Sequence, residues 1–205
     1  MGVVGLGTVD QRAPDDVAVL VITVVTEGSS LNGFPDGYPY LSINGVAQSS
    51  TIVRSETQYS SSPENAVAMF YIVAPNRGTG NVVLLNNNLK MIWLACSWYK
   101  GATFKKKAAL DTDNAGTGAA ANPSVSVTTG TASAVVAVLG DGYASVPTGR
   151  TGTSLHTLDF GADVGAVQYT IQGAAGTTAM GFTISSDDYQ EVVGAWKEAD
   201  RTTEA

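Results

Sequence analysis

Between Ala66 and Lys100 the chain alternates three apolar runs with two turn clusters, Pro75 to Gly80 and Asn86 to Asn88. The runs are rich in β-branched and aromatic residues, which pack well on a pleated surface. The spacing predicts three consecutive strands joined as a β-meander. The last run, Met91 to Tyr99, is apolar at both parities. Ile92, Leu94, Cys96 and Trp98 lie on one side, and Met91, Trp93, Ala95 and Tyr99 on the other, interrupted by Ser97. A strand with two apolar sides is either central in a packed sandwich or covered by a partner. The core reading is preferred.

The same signal opens the chain's first long apolar run, Val17 to Thr26, which predicts a central strand covered on both faces. Glu27 to Pro39 holds three glycines and two prolines and reads as a loop. Tyr40 to Ile43 and Val46 to Val53 flank Asn44-Gly45, the pair suited to a type I′ hairpin turn. Ser55 to Asn65 is polar and reads as an exposed connection. Asp111 to Asn122 is rich in Gly, Ala and Asn and reads as turn, dividing the strands into two groups.

Six strand-length segments follow: Ser124 to Thr129, Ala132 to Leu139, Thr153 to Phe160, Ala166 to Gln172, Ala179 to Ser185 and Gln190 to Trp196. Asp187-Asp188 is expected in a turn, and a short helix around Val192 to Ala199 is an alternative for the end of this series. Residues 1–15, glycine-rich and then polar up to Pro14, read as an arm, and residues 198–205 as a polar tail. The expectation is one all-β domain over residues 16–197, an antiparallel β-sandwich of jelly-roll type with extended terminal arms.

Composition sharpens this picture. The chain has 205 residues, of which 14% are charged, against about 25% in an ordinary domain. So few charges leave surface suited to burial under partners. A net charge of −7 disfavours nucleic acid, whose phosphates require a positive field. Lys105, Lys106 and Lys107 form the one basic run, read as a solvated loop or as a contact for an acidic protein surface. The single cysteine, Cys96, sits in an apolar run and reads as core. No apolar run reaches the ~20 residues of a membrane helix. Met1 to Leu6 lacks the basic start of a signal peptide.

Candidate chemistry is sparse. His156 is the only histidine, and strand parity puts Ser154 on its face but Asp159 on the other, so a hydrolytic triad is not expected. Glu56, Glu64 and Glu191 are available as carboxylates, but nothing in the spacing pairs two of them across a cleft. Asp111, Asp113 and Gly116 copy the first, third and sixth positions of a calcium loop, whereas Ala115 and Asn122 break the pattern. A polar turn is the preferred reading there. One His and one Cys leave no zinc set. No cofactor, metal or catalytic residue is therefore expected. Tyr38 and Tyr40, around Pro39, are suited to covering the core, to a protein interface or to stacking on a sugar ring.

Val17 to Thr26, Tyr40 to Val53 and Ala66 to Ala102 together resemble a jelly-roll module that recurs in tailed-phage structural proteins and in some surface-exposed bacterial proteins. The matching features are the opening apolar strand, the hairpin Leu41-Ser42-Ile43-Asn44-Gly45-Val46, and Phe70 to Pro75 leading through Gly78 and Gly80 to Val82 and Val83. Ala95 to Gly101 is similar to the family's small-residue and aromatic strand. Ser133 to Leu139 and Val192 to Trp196 are similar to its return strands. The resemblance spans most of residues 17–197 and rests on packing and turn signals. It implies a non-enzymatic virion protein, made in the host cytoplasm and assembled there in many copies with capsid or tail proteins. Capsid decoration is the first expectation, with a tail or baseplate component or a glycan-binding module as the alternative. Val3, Val4, Leu6, Tyr38, Tyr40, Lys105, Lys106 and Lys107 are the expected contact residues.

Overall fold

The computed structural model describes the backbone of residues 2–11, 19–27, 41–43, 46–48, 51–58, 65–73, 78–86, 91–99, 110–141, 146–159, 164–185 and 187–197, and side chains for 21–23, 25, 67–71, 110–140, 146–157, 159, 164–185 and 188–197. The elements are β1 (Gly2–Gln11), β2 (Val19–Glu27), β3 (Leu41–Ile43), β4 (Val46–Gln48), β5 (Thr51–Gln58), β6 (Asn65–Val73), β7 (Gly78–Asn86) and β8 (Met91–Tyr99). They continue as β9 (Leu110–Ala120), β10 (Ser124–Thr129), β11 (Ser133–Asp141), β12 (Gly149–Arg150), β13 (Thr153–Asp159), β14 (Val164–Gln172), β15 (Gly176–Thr183) and β16 (Asp187–Lys197). Every pairing among them is antiparallel, and no helix occurs among the described residues.

Three of the sheets stack as layers. The middle layer is five-stranded, in the order β13-β14-β11-β16-β9. On one face it meets the four-stranded sheet β5-β6-β2-β8. There Val21, Val25, Val67 and Met69 pack against Val136, Val138, Val167, Val192 and Trp196. On its other face it meets the sheet β10-β15-β12, where Val125, Val127, Met180 and Phe182 pack against Val135, Ala137, Leu139, Ala166, Val193 and Ala195. The fold is all-β and sandwich-like, with a middle sheet buried on both sides.

That arrangement follows from the side-chain patterns. β10 reads Ser-Val-Ser-Val-Thr-Thr and buries every second residue, the mark of a sheet with one wet face. β11 is apolar at both parities because both faces are covered, and β16 is likewise buried on both faces, with Gln190 and Glu191 as the polar exceptions among its buried residues. Trp196 is fully buried and meets Tyr71 edge-to-face at 6.2 Å. Its ring lies over Gly194, where an added Cβ would stand 2.7 Å from the ring and 3.0 Å from Met69 Sδ. Only glycine leaves room for that indole.

β3 and β4 pair, with Ile43 opposite Val46, while Asn44 and Gly45 lie outside the described residues. The expected strand Val46 to Val53 is divided, since β4 pairs with β3 and β5 with β6. β2 is central, between β6 and β8, and Val21, Ile22, Thr23 and Val25 are buried. The meander does not form. β6 and β8 both pair with β2, while β7 pairs with β1 in a separate sheet. β2 takes the place between β6 and β8, whereas β8, which is also apolar at both parities and was expected at a central position, ends its sheet among the described strands. Residues 2–11 of the expected arm are extended and pair along β7 of the same chain. Residues 51–58 form β5, so the strand runs further than the expected connection at Ser55 allows. The second half corrects two further expectations. Asp111 to Ala120 is strand β9, not turn, and pairs along β16. β16 takes in Asp187-Asp188 and runs to Lys197, which replaces both the expected turn and the alternative helix.

Candidate functional site

β10 and β15 present a wet face to the outside of the stack. Ser124, Ser126 and Thr128 are exposed on β10, opposite Gly181, Ala179 and Thr177 of β15. Thr183 continues the row toward β12. The two hydroxyls of Thr128 and Thr177 hydrogen-bond at 2.9 Å. All of these residues are small and none is ionisable. The free edge of β10 is partly occupied from within, since Asn114 Nδ2 on β9 donates to the Ser126 carbonyl at 2.8 Å.

At the margin of the stack, β12 ends the outer sheet and β13 ends the middle one. Arg150 of β12 pairs with Phe182, which faces inward, so its side chain enters the gap between layers. Its guanidinium donates to Ser154 Oγ and Thr157 Oγ1 on β13. Those residues share a face only because of a bulge. Ser154 opposes Gln168, but His156 opposes Val167, so Leu155 is the extra residue. The bulge also corrects the expected geometry of His156: it opposes Val167, which packs toward the four-stranded layer, whereas Ser154 is on the other face. Ser154 and His156 are not brought together. Arg150 Nε is buried without a hydrogen-bond partner. Burial lowers the Arg150 pKa from its ordinary value, yet the group stays cationic throughout the accessible pH range.

Between the same two layers lie two buried polar side chains with opposite fates. Gln168 is fully buried and fully used. Its Nε2 donates to the Gly181 carbonyl at 2.9 Å, and its Oε1 accepts from Gly152 N–H at 2.8 Å. Glu191 is also fully buried, but neither carboxyl oxygen has a hydrogen-bond partner. It stands between Leu139 and Gly116 on the neighbouring strands. Burial pushes its pKa up to about 9, so the carboxyl is held neutral at pH 7. Tyr189, two residues away on the same face, has its pKa raised by burial and then by the Glu191 charge.

A strongly shifted carboxyl is a reason to look for acid–base chemistry. Such chemistry needs a second group within reach and a path for substrate. Glu191 is surrounded by apolar side chains and the Tyr189 ring, and it is sealed from solvent. Among the described residues, the carboxyl's proton is held within the layer interface.

Asp111 and Asp113, read as the start of a calcium-like loop, lie on β9, where Asp113 opposes Gly194 of β16 and Asp111 is the extra residue at an irregularity in the ladder, so the segment is extended and does not wrap around a central point. Asp111 accepts from Gly130 N–H at 2.8 Å and meets Lys197 Nζ at 3.4 Å. It ties β9 to the β10–β11 connection. Among the described residues no group of three or more His, Cys, Asp or Glu could hold a metal.

Of the expected contact residues, Val3, Val4 and Leu6 lie on β1, where Val3 opposes Leu85 and Val4 opposes Leu84. Tyr38, Tyr40, Lys105, Lys106 and Lys107 lie outside the described residues. Arg150, Gln168 and the outer Ser/Thr row were not singled out by sequence reasoning. Only the last had a usable signal, the strict alternation of β10. Thr-Gly-Arg-Thr-Gly reads as turn. No protein-family model, curated protein or solved structure matches the chain.

Proposed function

We propose that this chain is a non-enzymatic structural protein that binds neighbouring subunits of a larger assembly through its sheet surfaces. The observation that supports it best is the outer face of β10–β15. Ser124, Ser126, Thr128, Thr177, Ala179 and Thr183 are exposed, short and uncharged. Interface centres are depleted of charge. Short side chains also lose little rotamer freedom when covered. The sheet is rigidly backed, since Val125, Val127, Met180 and Phe182 are packed beneath it.

The jelly-roll resemblance narrows the assembly to a tailed-phage virion and the role to capsid decoration. In that role Val3, Val4 and Leu6 on β1, Tyr38, Tyr40 and Lys105 to Lys107 supply further contacts. Binding then stabilises the assembled shell by mass action. The test mixes purified protein with capsid shells of its own phage stripped of accessory proteins. Wild-type protein is expected to saturate the shells. A Ser126→Glu, Thr177→Glu variant, with its thermal midpoint retained, is expected to bind at least about tenfold more weakly, since buried unpaired charges cost more than 1.4 kcal/mol. Equal binding by both proteins, or none by wild type, overturns the proposal.

A further inference from the structure

We propose that Arg150, Ser154 and Thr157 form a binding site for an oxyanion at the margin between the outer and middle sheets. Three observations carry it, independently of the structural role above. First, among the described residues Arg150 has no carboxylate partner, and the guanidinium bonds there go to two neutral hydroxyls. Hydroxyl lone pairs satisfy N–H groups but do not themselves compensate the charge. A partly desolvated cation without a counter-charge is costly to keep. Second, the hydrogen-bonding capacity is not used up. Guanidinium has five N–H donors, and two are engaged here. Each hydroxyl that accepts from Arg150 still has its own O–H to donate. The site therefore combines a fixed positive charge with several unused donors, the set that recognises carboxylate, sulfate or phosphate oxygens. Third, the placement is built. The Leu155 bulge turns Ser154 and Thr157 to the same face, and β12 delivers Arg150 to them from the facing sheet. Among the described strands β12 and β13 end their sheets, which puts the site at the margin of the stack.

The shared chemistry is an oxyanion, and its source is either a free tetrahedral anion or a carboxylate such as an Asp or Glu side chain. The experiment titrates full-length protein with inorganic phosphate, and separately with acetate, at constant ionic strength. Amide chemical shifts of residues 149–157 are followed, with sodium chloride as the control. Saturable shifts confined to that segment are expected with at least one oxyanion and not with chloride. Saturation by phosphate alone assigns a tetrahedral ligand, and saturation by acetate as well assigns a carboxylate.

In Arg150→Gln the apparent affinity is expected to fall at least about tenfold, the scale of one lost charge-assisted contact. Ser154→Ala, at an exposed position, keeps the test open should Arg150→Gln fail to fold, and is expected to weaken binding severalfold. No saturable response to either anion overturns the proposal. So does an unchanged affinity in Ser154→Ala together with either an unchanged affinity in Arg150→Gln or that variant's failure to fold.

Discussion

Gln190 and Glu191 are consecutive on β16 and both are buried, yet they point into different interfaces. Gln190 faces the four-stranded layer, with its Oε1 beside Gly140 and without a hydrogen bond. Glu191 faces the β10–β15 layer with both oxygens unbonded. Around Gln190 the interface is otherwise dominated by Val, Met and the Trp196 indole. Around Glu191 the layers are also held by a specific polar link, Gln168 to Gly152 and Gly181. One interface is therefore closed mainly by volume. The other is closed by volume, by one satisfied amide, and by a carboxyl that stays neutral. The first should respond to lost bulk and the second to protonation.

The largest effect is expected on the volume side. Trp196→Ala should cost about 3–5 kcal/mol, as for other large aromatic truncations in a core. Chemical denaturation measures it, and a loss under 1.4 kcal/mol would show that the indole does not hold that interface closed.

The next effect belongs to Glu191. The folded state keeps a proton up to about pH 9, whereas the unfolded carboxyl releases it near 4.5. Between those values the unfolded chain binds fewer protons, so stability falls as pH rises, by up to roughly 1.4 kcal/mol per unit. Glu191→Gln removes that term. Wild type and variant should match near pH 5, and the variant should be more stable by about 2–3 kcal/mol at pH 7. Parallel pH profiles for the two proteins would contradict a buried neutral carboxyl.

The smallest effect is expected from Gln168→Leu. It leaves Gly152 N–H without its acceptor, while the Gly181 carbonyl keeps Thr151 N–H at 3.1 Å. One orphaned donor costs about 1–2 kcal/mol. Hydrogen exchange at Gly152 should accelerate, and unchanged protection would remove Gln168 from the comparison.

Much of the strand content was legible, and its arrangement was not. The Ser124 to Thr129 alternation, the β3–β4 pairing and the doubly apolar β2 each declared themselves through local chemistry. β9 did not, because Leu-Asp-Thr-Asp-Asn-Ala-Gly-Thr-Gly is dominated by Asp, Asn, Ala and Gly, which strands avoid. Its support comes from across the ladder. The Tyr189 side chain lies over Gly116 and Gly118, its hydroxyl 3.6 Å from where the Gly116 Cβ would be and its ring 3.6 Å from that of Gly118, a cross-strand cover that compensates strand glycines. Gly118 also holds φ at +152°, which suits glycine. The interior place of β2 depends on long-range pairing, so the run of three strands after Ala66 could not show that β2 divides them. The Arg150 cluster was hidden for a related reason. Parity counting fails at a bulge, and only the Leu155 irregularity brings Ser154 and Thr157 together.

β16 lies between β9 and β11, although its residues follow both in the chain. During synthesis, β9 and β11 leave the ribosome with an unfilled slot between them. The row that joins Gly116, Glu191 and Leu139 closes only after β16 has emerged. Such distant pairing slows folding and leaves sticky edges open meanwhile. A nascent chain halted before residue 187 could pair β13, β14 and β11 but would leave β9 unjoined to them, with the edge of β11 exposed.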